Sequence, residues 1–228
     1  MKRFYKTVTV EGRSVLLDGK RLKTPRGEDP ALPSAGLAQA VAEEWRAQGE
    51  DIVPAAMPLT KLANTAIDGI VPRREEVIAE ITSFARHDHL CYRTNKPAEL
   101  AARQDAAWDP LLDWAAERFG APLHTARGVT SIAQPAPSLA ALRRAVEAYD
   151  PFVLAALHVA TSITGSLVLG LAVAERRLGA AEAFALSQVD ERFQAEKWGE
   201  DAEALARARH LAAELDAAAR FMDLARGI

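Results

Sequence analysis

Phe4-Tyr5-Lys6-Thr7-Val8-Thr9-Val10-Glu11-Gly12-Arg13-Ser14-Val15-Leu16-Leu17-Asp18-Gly19-Lys20-Arg21-Leu22-Lys23-Thr24-Pro25 sets the class of the chain. From Phe4 to Val10 the residues alternate with the period of two that a half-buried strand requires. Glu11-Gly12 supplies a two-residue turn before Ser14-Val15-Leu16-Leu17. Asp18-Gly19 supplies a second, and a strong one, because both central positions of a type I′ turn need positive φ. The return strand, Lys20 to Thr24, ends at Pro25. Turns this short fix the register, so the segment is predicted to be a three-stranded antiparallel meander.

Outward from that meander the pattern becomes helical. Ser34 is an N-cap for a helix carrying Leu37, Val41 and Trp45 on one stripe, with Gly49 beyond its end. Leu59, Leu62, Ala63, Ala66 and Ile67 continue at helical spacing to Gly69, and Pro72 opens a helix with Val77, Ile78, Ile81 and Phe84 inward. Helical periodicity fails near His89–Arg93, where a short strand or extended connector is expected. From Pro97 on, helices are expected throughout: one near Ala98–Ala107 interrupted at Asp109-Pro110, one from Ser138 to Tyr149, a buried one from Phe152 to Ala174, one from Gly179 to Trp198, and a last one along Leu205–Met222. The expected fold class is therefore α+β. An N-terminal domain over residues 1–95 holds the small antiparallel sheet with helices, and residues 96–228 form an all-helical bundle domain.

Composition excludes several function classes. With 28 basic against 31 acidic residues, a net charge of -3 gives no electrostatic footprint for nucleic acid. Cys91 alone allows neither an intramolecular disulfide nor a cysteine-rich zinc site, which fits a reducing compartment. The N-terminus runs into the strand pattern without an apolar signal core or a Ser/Arg-rich transit segment, so a cytoplasmic protein is expected. Phe152–Ala174 lacks Asp, Glu, Lys and Arg over a length that could cross a bilayer. His158, Thr161, Ser162, Thr164, Gly165, Ser166 and Gly170 dilute it and no aromatic belt brackets it, so a helix at the centre of a bundle is expected, with His158 in the core and no membrane insertion.

Residues with catalytic potential do not assemble into a recognisable motif. No phosphate-binding glycine loop and no G-x-S-x-G elbow occurs, and no cofactor is expected. Paired acids such as Glu43-Glu44, Glu75-Glu76 and Asp190-Glu191 point about 100° apart on a helix and do not converge on a substrate. His87, His89 and Cys91 would share one face of a strand, as a metal site needs, but a fourth ligand is missing. They are read as ordinary half-buried side chains, with a metal-dependent enzyme as the alternative. A second alternative is a nucleic-acid module on the basic hairpin, where Phe4 and Tyr5 would be its stacking aromatics. The absence of a catalytic constellation favours a binding protein.

Several strings, in order, carry a family resemblance: Lys2-Arg3-Phe4-Tyr5-Lys6, Leu17-Asp18-Gly19-Lys20 with Leu22-Lys23-Thr24-Pro25, Val41-Ala42-Glu43-Glu44-Trp45, and Met57-Pro58-Leu59-Thr60 with Ala66-Ile67-Asp68-Gly69. Cys91-Tyr92-Arg93, Gln104-Asp105-x-x-Trp108-Asp109-Pro110-Leu111-Leu112-Asp113-Trp114 and Ser187-x-x-Asp190-Glu191-x-x-Gln194-x-x-x-Trp198-Gly199-Glu200-Asp201 complete the series. Together they resemble the assembly chaperones that bind the α subunit of the ATP synthase catalytic head. The resemblance implies a two-domain protein without enzyme activity, whose partner is the free α subunit and whose role is to cover its β-facing surface. Mitochondrial relatives carry an import extension that is not seen here, which implies a bacterial member. The expected partner-binding residues are Asp190, Glu191, Glu200 and Asp201, with Trp198 either an aromatic anchor or a helix-end core residue. Trp45, Trp108 and Trp114 are expected in the core.

Overall fold

A computed structural model describes residues 1–128 and 130–228, which gather into two compact units. The first comprises Met1–Arg74, Asp150–Ala156 and Ala217–Ile228, and the second Glu75–Tyr149 and Leu157–Asp216. The boundary expected between residues 95 and 96 falls inside the second unit. The α+β class holds, with a small N-terminal antiparallel sheet and a helical C-terminal region.

In the first unit β1 (Val8–Glu11), β2 (Ser14–Leu17) and β3 (Lys20–Arg21) form the meander in the order β1-β2-β3. Leu17 pairs with Lys20 across Asp18-Gly19, whose φ values of 47° and 77° are those the type I′ turn demands. The first turn lies one residue later than expected, on Gly12-Arg13, since Glu11 pairs with Ser14. β1 is shorter than its alternating pattern because Asp18 diverts it. The carboxylate accepts from Lys6 N (3.0 Å) and Thr7 N (2.8 Å), the second a donor a longer strand would have spent on the ladder with β2. Those bonds, Thr7's first, hold the Asp18 carboxyl below the usual carboxylate range.

Against the sheet lies α1 (Ala35–Arg46), with Leu37, Ala38, Val41 and Trp45 buried and Ser34 accepting from Leu37 N at 2.9 Å as its N-cap. The Ser34 hydroxyl also donates to Leu224 O, at the end of α10 (Ala202–Ala225). The next helix, α2 (Pro58–Asn64), has no side-chain cap of its own at Met57. Glu44 of α1 replaces it, accepting from Leu59 N (2.7 Å), Thr60 N (2.8 Å) and Thr60 Oγ1 (2.7 Å). α2 then widens into a π-helical turn over Thr65–Ile70.

The second unit opens with α3 (Arg74–Ser83), then two 3-10 turns over Phe84–His87 and His89–Cys91. Next come β4 (Tyr92–Arg93) and α4 (Ala98–Phe119). α4 passes through Asp109-Pro110 without the expected interruption. Trp108, Leu111, Leu112 and Ala115 are all buried around it, and that burial outweighs the roughly 3 kcal/mol a mid-helix proline costs. Between α4 and the helix expected from Ser138, β5 (Ala126–Arg127) pairs in parallel with β4. α5 (Ala136–Glu147) starts two residues before Ser138, whose hydroxyl donates to Pro122 O at 2.6 Å.

The apolar span from Phe152 divides into α6 (Pro151–Thr164) and α7 (Leu167–Ala174), because Gly165 turns left-handed at φ 65°. No helix among the described residues is long and apolar enough to cross a membrane. Every residue of α7 is buried, and Gly170 lets it approach α6 so closely that a Cβ there would sit 2.5 Å from Thr161 Oγ1. His158, expected in the core, is instead half-exposed on α6, 3.5 Å from Glu80. The following helix is also two: α8 (Ala180–Ser187) and α9 (Val189–Trp198), parted at Gln188.

Candidate functional site

The five residues expected to meet a partner lie on α9 and the link to α10. α9 buries only Phe193. One aromatic ring is too small an anchor for a ten-residue helix, and charged side chains supply the rest. Arg103 of α4 reaches Glu196 at 2.7 Å and Glu99 at 2.9 Å, while Lys197 reaches Glu99 at 3.0 Å. Arg103 and Lys197 each lie 5.2 Å from the Phe193 ring centroid.

Asp190 is only partly available. Its Oδ1 accepts from Gln104 Nε2 at 2.6 Å, and the oxygen of that buried amide accepts from Thr94 N at 2.8 Å. The chain Thr94–Gln104–Asp190 thus ties the start of α9 to the segment after β4. That segment is itself anchored: Arg93, 4 % exposed, contacts Asp105 at 2.9 Å and Asp109 at 2.7 Å, donates to Leu90 O, and lies over the Trp108 ring. Trp108 Nε1 donates to Leu186 O at 2.8 Å, fixing the end of α8.

The other four residues face outward. Trp198 is 78 % exposed, so the helix-end core alternative does not describe it. Trp45 and Trp108 are buried as expected, and Trp114 is half-buried. Glu191, Glu200 and Asp201 line a groove of about 340 Å³ with an apolar floor of Phe184, Ala195, Leu205 and Ala208 and one cation, Arg192. Asp201 also accepts from Glu203 N at 3.0 Å, so it caps α10 as well as lining the groove. An apolar trough rimmed by acid can take an apolar side chain flanked by basic ones. Gln104, Arg103 and Phe193, which hold the groove's main wall, were not expected as functional residues. The only sequence signal for them is that Gln104 and Asp190 both fall in the strings of the family resemblance.

The geometry required by either alternative is not formed. His87 is exposed with Nδ1 3.1 Å from Tyr92 Oη, His89 packs edge-on to Trp108, and Cys91 is buried. The strand that would have aligned them is a 3-10 turn. No group of three His, Cys, Asp or Glu among the described residues could hold a metal ion. Burial pushes the Cys91 thiol up to about 12, where it stays protonated at neutral pH. On the basic hairpin, Tyr5 is buried against Trp45 and donates to its carbonyl at 2.6 Å, leaving Phe4 as the one exposed ring of the pair.

The family described as ATP12 chaperone protein matches residues 2–116. Protein atp12, mitochondrial, of Schizosaccharomyces pombe is 25% identical over 214 residues, covering 87% of this chain and 74% of its own. The crystal structure of Atp12 from Paracoccus denitrificans superposes with a TM-score of 0.94 at 44% identity, over 99% of this chain and 98% of that one. The Atu1473 protein of Agrobacterium tumefaciens gives 0.93 at 44%, over 98% of this chain and 85% of its own. Matched over half its length by the family and near its full length by a solved Atp12, this chain belongs to the ATP12 chaperone protein family.

Proposed function

We propose that this protein is a bacterial, cytoplasmic assembly chaperone for the catalytic head of ATP synthase, which binds the free α subunit and covers its β-facing surface until β displaces it. The observation that carries the reading is the exposed acidic, aromatic surface of α9 and the link after it: Glu191, Trp198 and Glu200 beside an apolar groove, on a helix that buries a single ring. A large apolar contact face on an unassembled subunit invites wrong association, and a cover that binds more weakly than β needs no nucleotide to leave. Rim charge sets encounter rate and selectivity.

Co-expression with an α subunit tests this. The chain should keep α soluble and copurify with it, and failure to form any complex overturns the reading. Glu191→Lys should weaken the complex by about tenfold through charge reversal at the rim, with an unchanged thermal melt. A lowered melt would make Glu191 a structural residue instead.

A further inference from the structure

The first unit carries an apolar groove that the acidic face of α9 does not use. Two neighbouring depressions of about 550 and 460 Å³ share Met1 and Trp45 in their linings. Ile52, Pro54 and Met57 line the larger, and Phe4, Leu17 and Leu22 the smaller. Phe4 stands 65 % exposed at the edge. Among the described residues, the exposed large apolar side chains other than Trp198 all belong to this unit.

The rim has a definite sign. Lys20, Arg21, Lys23, Arg26 and Lys61 surround the groove, against the carboxylates of Asp18 and Asp68. Both carboxylates are already engaged: Asp18 by Lys6 and Thr7, Asp68 by Thr24 Oγ1 (2.7 Å) and Arg26 N (3.2 Å). Arg21 and Lys23 pair with Asp29. Lys20, Arg26 and Lys61 have no ion-pair partner among the described residues. Asp68 belongs to the π-helical turn that extends α2, a rare geometry that recurs at functional sites, and its two bonds latch Thr24–Arg26 to that turn as a fixed wall.

We propose that this groove is a second docking site, for an extended client segment that carries apolar side chains beside carboxylates. The proposal rests on the reading that the chain binds an unassembled subunit. Apolar side chains would cover Met1, Pro25 and Pro54, with the buried Trp45, Ile52 and Met57 as the floor behind them, and the carboxylates would meet Arg26, Lys61 and Lys20, whose charge is otherwise unneutralised. A lipid acyl chain fits less well, because the larger depression is partly open to solvent and would leave part of the chain wet. The two units would then grip opposite chemistries on one client, basic-apolar on the acidic rim of α9 and acidic-apolar here, and binding at two linked sites multiplies affinity.

The test uses the full chain and the double reversal Arg26→Glu/Lys61→Glu. Both side chains are exposed, so the melt should stay that of wild type. Purified α subunit should bind the double variant about tenfold more weakly, with a shallower dependence on salt. 1-Anilinonaphthalene-8-sulfonate, an apolar anion, should brighten on wild type and bind the variant about tenfold more weakly. If α binds both proteins alike, the docking site is overturned while the chaperone reading stands. If wild type binds no α, the chaperone reading falls and takes the assigned occupant with it, whereas dye binding that survives the reversal removes the groove as an anion-selective site. Capture of phosphatidylglycerol vesicles by wild type and not by the variant would assign the groove to lipid and overturn the proposal.

Discussion

α7 and α9 are helices of eight and ten residues in the same compact unit, and opposite forces hold them. α7 is buried at every position. Ser166 caps it through Leu169 N at 3.0 Å, and the buried Asp88 carboxylate accepts from Val168 N at its first turn and from Leu90 N, both at 3.1 Å. α9 buries one ring and is otherwise fastened to α4 by exposed ion pairs and by the Gln104–Asp190 hydrogen bond at its start. Burial makes α7 scaffold. Its absence leaves most of the α9 surface available to a partner, at the cost of an anchorage that salt can screen.

The largest effect should come from removing the polar fixture of α7. Asp88→Ala leaves two buried N–H groups without acceptors, at about 1–3 kcal/mol each, so urea denaturation should show a loss of about 2–6 kcal/mol. A loss under about 0.5 kcal/mol would break the comparison, because α7 would then be held by apolar contact alone. Asp88 also gives a pH signature. Burial pushes its carboxyl up, against hydrogen bonds from Ser166, Val168 and Leu90 that pull it down, and the net direction is up. The folded state therefore holds the proton to higher pH than the unfolded state, and this group's contribution to stability falls as pH rises from about 4, the unfolded value, towards the raised folded value. Asp88→Asn, which cannot ionise, should come closer to wild-type stability across that rise, and a gap that widens instead would reverse the sign.

Next in size is Gly170→Ala. A Cβ there meets Thr161 Oγ1 at 2.5 Å and Leu157 Cδ1 at 3.1 Å, so α6 and α7 must separate, costing about 1–3 kcal/mol of stability in the same assay. An unchanged midpoint would mean that α7 is not close-packed, and the contrast with α9 would lose its basis.

The parts of this architecture that rest on local chemistry were readable in the sequence. Asp18-Gly19 forces a type I′ turn wherever it stands, and Ser34 caps the helix that follows it. Periodicity located the apolar runs, yet it did not show where they break, because Gly165 and Gln188 end helices only in a context where the next segment has somewhere else to pack. Pro110 failed in the opposite sense: a local stop signal was overridden by burial on both sides of it. At the candidate site, the run of acids and Trp198 were visible as residue types. That Asp190 turns inward to Gln104 was not, since the two are 86 positions apart and only the packing of α9 on α4 brings them together.

The smallest effect is the most discriminating. Arg103→Ala removes one cation that contacts Glu196, Glu99 and the Phe193 ring, all at a half-exposed position where solvent screens such contacts. If α9 is fastened by charge and α7 by burial, that loss is local. Hydrogen exchange of the α9 amides should speed up about fivefold while the α7 amides, which exchange only when the unit opens, keep their rates. Raising salt to about 1 M, where screening acts within roughly 3 Å, should erase most of the difference between wild type and variant at α9. Equal acceleration of both helices would show that they open together, and α9 would then be part of the scaffold rather than a face mounted on it.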